Sequence, residues 1–334
     1  MTTMHALPEF TLQRPASLAE AVALLAAEPL SRLVAGGTDL LPNLRRGLER
    51  PPVLIDLSAL PGFAAVEAAA DGSLMLGAGL TLATLATDAT IAARLPALAD
   101  AARAAAGPGH RTAATLAGNL CQDTRCVFYN QSEWWRAANR YCLKRGGDTC
   151  HVAPQGSHCH AAFSGDLAPV LLALQAEVEL QSARGARWIP LTELYRDDGA
   201  AHLTLARDEL LTRVRVSAPA AGEVCAYRKA RVRGAMDFPL AAVAVALALT
   251  DRNIATLRVS LSGTNPHPLL LAGTDALVGQ AVDDALLARV AKLVQQQVSP
   301  MRSTATPSNY RRQVAVVLTQ RLLRELASGS ESAP

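Results

Sequence analysis

Residues 121–159 read CQDTRCVFYNQSEWWRAANRYCLKRGGDTCHVAPQGSHC, and the rest of the chain lies on either side of this stretch. It holds five of the six cysteines and two of the three tryptophans, whereas its flanks are rich in Ala and Leu and almost free of sulfur. In a protein of the reducing cytoplasm, clustered cysteines indicate metal binding or redox chemistry more than a disulfide framework. The sequence therefore predicts a metal-binding loop carried on an α+β scaffold.

Four of these thiols, at Cys126, Cys142, Cys150 and Cys159, are spaced 16, 8 and 9 residues apart. Four thiolates satisfy a 4Fe-4S cluster, and they equally satisfy one tetrahedral structural zinc ion. No pair has the two-residue gap common in zinc knuckles and ferredoxins. Because long gaps let a loop wrap a large object, the spacing favours a cluster without excluding zinc.

The remaining thiols and the neighbouring histidines have simpler interpretations. Cys121 follows a turn after Asn119 and is predicted to be a small buried residue, and Cys225 is predicted to pack within a strand. Three histidines beside the cysteines could ligate zinc, but we expect them to be polar loop residues: His151, His158 and His160.

The stretch also contains two adjacent tryptophans and two adjacent basic residues whose roles can be predicted. Trp134 and Trp135 lie in SEWWRAANR, which predicts a helix that forms a small core under the loop and shields it from water. Lys144 and Arg145 make the loop positive. They are expected either to offset the charge of an anionic cluster or to meet an acidic protein partner.

Composition and charge bound the class of protein. The chain has 334 residues, of which 50% are hydrophobic and 18% charged, with a net charge of +3. This length predicts two or three domains, and no basic stripe indicates nucleic-acid binding. The amino end lacks a basic start followed by an apolar run, and the longest apolar stretch, Pro239–Leu249, is about half the length of a membrane span. We therefore expect a cytoplasmic protein that is not inserted in a membrane.

The pattern of elements predicts an α+β chain. Residues 1–58 read as a β-α-β-α-β unit whose first helix is capped by Ser17, with Glu20 in the capping-box position. A second subdomain covers residues 59–217 and contains the insertion at 121–162. After the boundary SAPAAG at 217–222, three strands followed by helices predict a separate domain at 222–328, and a disordered tail is expected at 329–334.

Two loops rich in small residues are candidate cofactor sites. AGGTDL at 35–40 joins a predicted strand to a predicted helix, where backbone N–H groups can receive a pyrophosphate. The segment Thr112–Asn119 adds two hydroxyls on a separate element. Two such loops suit a dinucleotide bound between subdomains, although each loop is also compatible with an ordinary turn.

These motifs together resemble those of the FAD-binding medium subunits of the xanthine oxidase family of molybdenum hydroxylases. AGGTDLLP at 35–42 resembles the family's first flavin loop, and RTAATLAGNL at 111–120 resembles its second, RNxGTIGGN, with Thr112, Ala114 and Ala117 in place of Asn, Gly and Gly. SGDL at 164–167 matches the segment whose Asp contacts the cofactor. YRK at 227–229 resembles the start of the carboxy-terminal domain, and the resemblance covers roughly residues 5–327.

The resemblance implies a fold and a set of cofactor contacts. The fold is a two-subdomain FAD-binding domain of the PCMH, vanillyl-alcohol-oxidase-like type over residues 1–217, followed by a domain similar to the CO dehydrogenase flavoprotein C-terminal domain. The implied FAD-binding residues are Ala35, Gly36, Gly37, Thr38, Asp39, Leu40, Arg111, Thr112, Thr115, Gly118, Asn119, Asp166 and Lys229.

The insertion resembles a loop found in one branch of this family. Most members run directly from the second flavin loop to the Ser-Gly-Asp segment, but this chain adds about forty residues there. Its cysteine spacing and NQSEWWRAANRYCLKRGGDTC are similar to the loop of members that reduce an aromatic acyl-CoA and carry an extra 4Fe-4S cluster. The implied ligands are Cys126, Cys142, Cys150 and Cys159, which favours iron–sulfur over zinc.

The resemblance also implies partners. They are a large subunit with a molybdenum–pterin centre, a small subunit with two 2Fe-2S clusters, and reduced ferredoxin as electron donor to an (αβγ)2 heterohexamer. No catalytic residue is expected in this chain, because the substrate site lies in the large subunit. Two other interpretations stay open: a subunit of a related molybdenum-dependent oxidoreductase, and a zinc-stapled structural subunit.

Overall fold

The amino-terminal subdomain is built on a small parallel sheet. The computed structural model describes residues 6–302 and 305–329. The elements are β1 Thr11–Gln13, α1 Leu18–Ala27, β2 Arg32–Val34, α2 Leu40–Arg45 and β3 Val53–Asp56. The three strands are parallel and lie in the order β1-β3-β2. As predicted, the Ser17 hydroxyl accepts a hydrogen bond from the Glu20 N–H and caps α1, so the β-α-β-α-β unit is confirmed.

The second subdomain combines an antiparallel sheet with a layer of short helices. Its five strands are antiparallel and lie in the order β4 Val66–Ala68, β5 Leu74–Gly77, β8 Leu210–Val216, β6 Glu177–Ser182 and β7 Gly185–Pro190. The elements before the insertion are β4 Val66–Ala68, β5 Leu74–Gly77, α3 Leu82–Thr87, α4 Ala89–Arg94, α5 Pro96–Ala104, α6 Pro108–Arg111 and α7 Leu116–Leu120. Alanine dominates α5, with Ala99, Ala101 and Ala102 fully buried, so neighbouring helices pack closely.

The insertion leaves and re-enters this subdomain at one point. Arg125 and Ala162 exchange two backbone hydrogen bonds of 2.7 and 2.8 Å, an isolated bridge that closes the base of the loop. Inside it lie α8 Glu133–Ala138, capped by the Ser132 hydroxyl, and a 3-10 turn at Leu143–Arg145. The loop is therefore a closed unit fastened to the scaffold.

The chain then completes the second subdomain and passes to the carboxy-terminal domain. The remaining elements of the second subdomain are α9 Leu167–Ala173, β6 Glu177–Ser182, β7 Gly185–Pro190, a 3-10 turn at Leu191–Leu194 and β8 Leu210–Val216. The carboxy-terminal domain contains β9 Val224–Ala230, β10 Ala241–Thr250, β11 Asn253–Ser262, β12 Leu269–Leu270, a 3-10 turn at Thr274–Leu277, α10 Asp284–Gln297 and α11 Ser308–Gly329. The antiparallel sheet order is β12-β11-β10-β9.

Strand β10 joins two hydrophobic cores because both of its faces are buried. Ala242, Ala244 and Ala246 pack into the core of the second subdomain, whereas the alternating residues Val243 and Val245 pack under α10 and α11. Side chains alternate between the faces of a strand, so small residues admit the neighbouring subdomain on one face and larger residues fill the helical side.

The structure adds short elements to the sequence-based prediction. The three predicted strands of the carboxy-terminal domain are present, and β12 extends their sheet, while β4 and α4 were not predicted. Each is only two to six residues long, so it shows little periodicity. None of the helices at 6–302 or 305–329 combines the length and apolar character needed to cross a bilayer. Of the predicted tail, residues 330–334 lie outside the described residues.

Candidate flavin and thiol sites

The two predicted flavin loops meet at one cavity of about 590 Å³, a volume within the usual range for cofactor sites. Residues 35–40 line it from the first loop, and Thr115 and Gly118 line it from the second. Further lining comes from residues 200–203, 205–207 and 209–211. The structure thus brings together eight of the thirteen predicted FAD-binding residues: Ala35, Gly36, Gly37, Thr38, Asp39, Leu40, Thr115 and Gly118.

Glycine is required where the loops touch. A Cβ built on Gly36 would lie 1.8 Å from the backbone oxygen of Ala113, inside the second loop. Gly37 has a φ of +66°, which residues with a side chain rarely adopt. The sequence Gly-Gly is therefore explained by backbone contact and by a left-handed conformation.

The wall of this cavity carries polar atoms without a partner inside the protein. Gln122 Nε2 and Asp123 Oδ2 are both buried and unpaired among the described residues, and both residues line the cavity. Buried polar atoms normally have partners, so a polar cofactor bound here would satisfy them. The cavity and its wall therefore fit a dinucleotide.

Asp39 links the first loop to the base of the insertion. Its Oδ2 accepts a hydrogen bond of 2.9 Å from the Asp123 N–H, and its Oδ1 pairs with the Arg125 guanidinium. Burial raises the pKa of Asp39, and the Arg125 charge opposes that rise. Asp39 therefore both lines the cavity and connects the first flavin loop to the insertion.

Three predicted FAD-binding residues of the second loop do not line the cavity. Arg111 donates hydrogen bonds of 3.0 and 3.2 Å to the carbonyls of Ala105 and Ala106, at the end of α5. The Thr112 hydroxyl donates to the Gly109 carbonyl. Asn119 is buried, and its Oδ1 accepts a hydrogen bond of 3.0 Å from the Leu167 N–H at the start of α9. These contacts order the loop.

Asp166 and Lys229 also lie outside the cavity and form a buried ion pair between two domains. Their charged atoms are 2.9 Å apart, and the side chains are 7% and 3% exposed. The Tyr227 hydroxyl donates a 2.6 Å hydrogen bond to Asp166, and burial raises the pKa of that hydroxyl. This cluster joins the start of α9 to β9.

The four predicted cysteine ligands line a second, much smaller cavity. Cys126, Cys142, Cys150 and Cys159 surround about 10 Å³ of free space, and the first, third and fourth are 7%, 5% and 7% exposed. Cys121 lies outside it, at the end of α7 in the wall of the flavin cavity. The structure therefore separates the four spaced thiols from the fifth.

The environment of these thiols supplies hydrogen bonds and positive charge. Backbone N–H groups of Tyr129 and Phe128 point at the Cys126 sulfur, and the Ala161 N–H lies 3.4 Å from the Cys159 sulfur. Burial raises the pKa of Cys159 to about 12, and Lys144 opposes that rise. Sulfur-directed N–H groups and a nearby cation stabilise thiolates, which bind metals, so the donor set fits a metal–thiolate group.

These thiols are not preassembled around one ion. Across residues 6–302 and 305–329, no three His, Cys, Asp or Glu side chains are grouped closely enough to hold a metal ion. The histidines have other surroundings: His151 Nε2 is 2.5 Å from the Tyr141 carbonyl, and the ring centroids of His158 and His160 lie 4.2 Å apart with the rings tilted by 41°.

The tryptophan prediction is half wrong. Trp135 packs against Phe128 with ring centroids 5.6 Å apart, whereas Trp134 is 78% exposed, because adjacent helical residues point in different directions. Sequence reasoning also missed Arg136, which is 2% exposed and donates to the carbonyls of Tyr129 and Arg46. Its charge and place on a short helix gave no sign of burial.

Comparison with known proteins identifies the class. The chain matches a family described as the FAD binding domain in molybdopterin dehydrogenase over residues 8–219, and the CO dehydrogenase flavoprotein C-terminal domain over residues 225–326. It therefore belongs to the FAD-binding medium subunits of the xanthine oxidase, or molybdenum hydroxylase, family. It binds FAD and is an oxidoreductase subunit.

Relatives with different names cover nearly the whole chain. It is 27% identical to the xanthine dehydrogenase FAD-binding subunit of Escherichia coli O157:H7, over 95% of this chain and 96% of that one. It is 32% identical to the aldehyde oxidoreductase FAD-binding subunit PaoB of E. coli K12, over 84% and 90%. A chain of a cyanide-inactivated Cu,Mo-CO dehydrogenase superposes with a TM-score of 0.80 at 25% identity, over 97% and 99%.

Proposed function

We propose that this chain is the electron-transfer subunit of a molybdenum-dependent reductase of an aromatic acyl-CoA, namely the β subunit of 4-hydroxybenzoyl-CoA reductase, and that it carries a 4Fe-4S cluster beside its FAD. The observation that carries the proposal is that Cys126, Cys142, Cys150 and Cys159 all line one small cavity, with three of the four buried. The insertion lies between the second flavin loop and the Ser-Gly-Asp segment, next to the cofactor that it would serve.

An iron–sulfur cluster exchanges single electrons and a flavin one or two, so a chain holding both connects a one-electron donor to other redox centres. We propose that this chain accepts electrons from reduced ferredoxin and delivers them to a 2Fe-2S small subunit and a molybdenum-binding large subunit of an (αβγ)2 heterohexamer in the cytoplasm. In the large subunit, two electrons and two protons would convert 4-hydroxybenzoyl-CoA to benzoyl-CoA and water.

The residues of this chain bind cofactors in this proposal and none touches the aromatic ring. Residues 35–40, with Thr115 and Gly118, hold FAD in the large cavity, and the four cysteines hold the cluster. Five further positions remain proposed FAD-binding residues because their motifs match, although they lie outside that cavity: Arg111, Thr112, Asn119, Asp166 and Lys229.

Replacing one thiol tests the cluster. We expect anaerobically purified Cys142→Ser complex to lose about four iron atoms per chain and the associated absorption near ~400 nm, while its FAD content is unchanged. Cys225→Ser is the matched control, because Cys225 lies in β9 and lines neither cavity, and it should retain both groups. Zinc in the wild-type loop, or iron unchanged by Cys142→Ser, would overturn the cluster assignment.

A related molybdenum-dependent oxidoreductase is the second candidate. The names of the relatives include xanthine dehydrogenase, aldehyde oxidoreductase and carbon monoxide dehydrogenase subunits, so the FAD-binding fold serves several substrates. Formation of benzoyl-CoA by the complex with reduced ferredoxin supports the first candidate. A loaded complex that acts only on another substrate supports the second.

A further inference from the structure

Two of the described residues line both the flavin cavity and the four-thiol cavity: Tyr129 and Lys144. We call this pair the shared wall. Tyr129 follows Cys126 by three residues and Lys144 follows Cys142 by two, so both come from the insertion itself. Any charge fixed in the shared wall acts on both sites at short range.

Lys144 holds such a charge in a fixed position. Its side chain is only 6% exposed. Its Nζ donates hydrogen bonds of 2.5 Å to Asp123 Oδ1 and 2.5 Å to the Thr124 hydroxyl, and it lies 4.5 Å from the centre of the Tyr129 ring. A buried ammonium group with these partners cannot meet a protein partner at the surface. Of the two roles expected for Lys144, contact with an acidic partner is therefore excluded, and the role of offsetting the charge of an anionic cluster is left.

The same contacts connect the first flavin loop to the thiol cavity. Asp39 accepts the Asp123 N–H, and the Asp123 side chain accepts from Lys144. This continuous chain of hydrogen bonds runs from the loop that lines the flavin cavity to the residue beside the cysteines. Loss of the Lys144 ammonium group would leave the Asp123 carboxylate, which lines the flavin cavity, without its lysine partner.

Building on the proposed function, we infer that Lys144 is a positioning residue that holds the four-cysteine loop against the flavin cavity and raises the reduction potential of the cluster. A nearby positive charge favours the reduced form of a cluster, which carries one more negative charge, and local charge and hydrogen bonds set cluster potentials. Arg140 lies in the same insertion but is exposed and lines neither cavity, so its charge is screened by water.

The experiment compares Lys144→Gln with Arg140→Gln in the full chain, purified anaerobically with its copurifying subunits. Each variant removes one positive charge, and redox titration followed by low-temperature electron paramagnetic resonance reports the cluster potential. At the wild-type midpoint we expect the ratio of reduced to oxidised cluster in Lys144→Gln to fall about tenfold, equivalent to about 59 mV for a one-electron couple. Arg140→Gln should leave the ratio unchanged, and Lys144→Arg should restore most of it.

The outcomes separate this inference from the proposal on which it rests. If the wild-type complex shows no cluster signal, the proposed function fails and this inference falls with it. If the wild-type signal is present and the potential of Lys144→Gln equals that of Arg140→Gln, only this inference is refuted. If Lys144→Gln holds no cluster, recovery of a cluster with wild-type potential in Lys144→Arg supports the inference, and failure of Lys144→Arg to recover it counts against it.

Discussion

Replacing Gly36 by Ala tests how the flavin cavity is built. The added Cβ would lie 1.8 Å from the Ala113 oxygen, whereas ordinary contact begins at 3.4 Å. The two flavin loops would therefore have to separate by about 1.6 Å, and the obstructing atom is backbone, which cannot rotate away. Because both loops line the cavity, separation disturbs the site on two sides at once.

The magnitude follows from the cost of overpacking, which is about 1–3 kcal/mol for one added methyl-sized group. If this cost falls on the flavin-bound state, the dissociation constant for FAD rises by at least about fivefold, since about 1.4 kcal/mol corresponds to a factor of ten. Gly36→Val should lose more flavin than Gly36→Ala. FAD bound per chain after purification and fluorescence titration of the flavin-free protein measure both effects.

The matched control is Gly109→Ala, close to the second loop. A Cβ at Gly109 meets nothing within 4 Å, and the residue lies in helix α6, where Ala is favoured over Gly by up to about 1 kcal/mol. We expect this variant to bind FAD as the wild type does. If Gly36→Ala binds FAD within twofold of Gly109→Ala, contact between the loops is not what requires glycine at this position.

Two further predictions concern buried charge. Burial lowers the pKa of His202, in the flavin cavity wall, to about 4, below about 6.5 in an unfolded chain. The contribution of neutral His202 to the free energy of unfolding is therefore fully present above pH 6.5. About 3 kcal/mol of it is lost as the pH falls towards 4. The free energy of unfolding, measured with urea, should fall less between pH 7 and pH 4.5 for His202→Gln than for the wild type. An equal fall in both proteins would contradict the prediction. Lys229→Met leaves Asp166 as an unpaired buried charge, so unfolding free energy should fall by about 3–5 kcal/mol. Adding Asp166→Asn to Lys229→Met should recover part of the lost unfolding free energy. A loss under about 1 kcal/mol in the single Lys229→Met variant would contradict the stabilising role of the pair.

Local signals in the sequence were sufficient for most elements of the fold. Ser17 and Glu20 marked the start of the first helix, and the carboxy-terminal strands were visible as long runs of apolar and β-branched residues. Short elements such as β12 at Leu269–Leu270 were missed, because two residues have no period and owe their conformation to the strand beside them.

The candidate sites divide in the same way. The thiols and the glycine loops could be found from the sequence, since ligand type and backbone freedom belong to individual residues. The partners of Arg111 and Asn119 could not, because they lie on neighbouring elements that only the packed helices bring near. Trp134 is exposed and Arg136 is buried for the same reason: on a helix of six residues, orientation is decided by what packs against it.

The sequence by itself determined which residues can do the chemistry: four spaced thiols, two small-residue loops and the motifs of a flavoprotein family. Only the tertiary structure decided which of them share a site. It set Cys126, Cys142, Cys150 and Cys159 around one cavity and left Cys121 in another, and it buried Lys144 between the two. The physical reason is that ligand chemistry resides in a side chain, whereas proximity depends on long-range contacts such as the bridge between Arg125 and Ala162 that closes the loop.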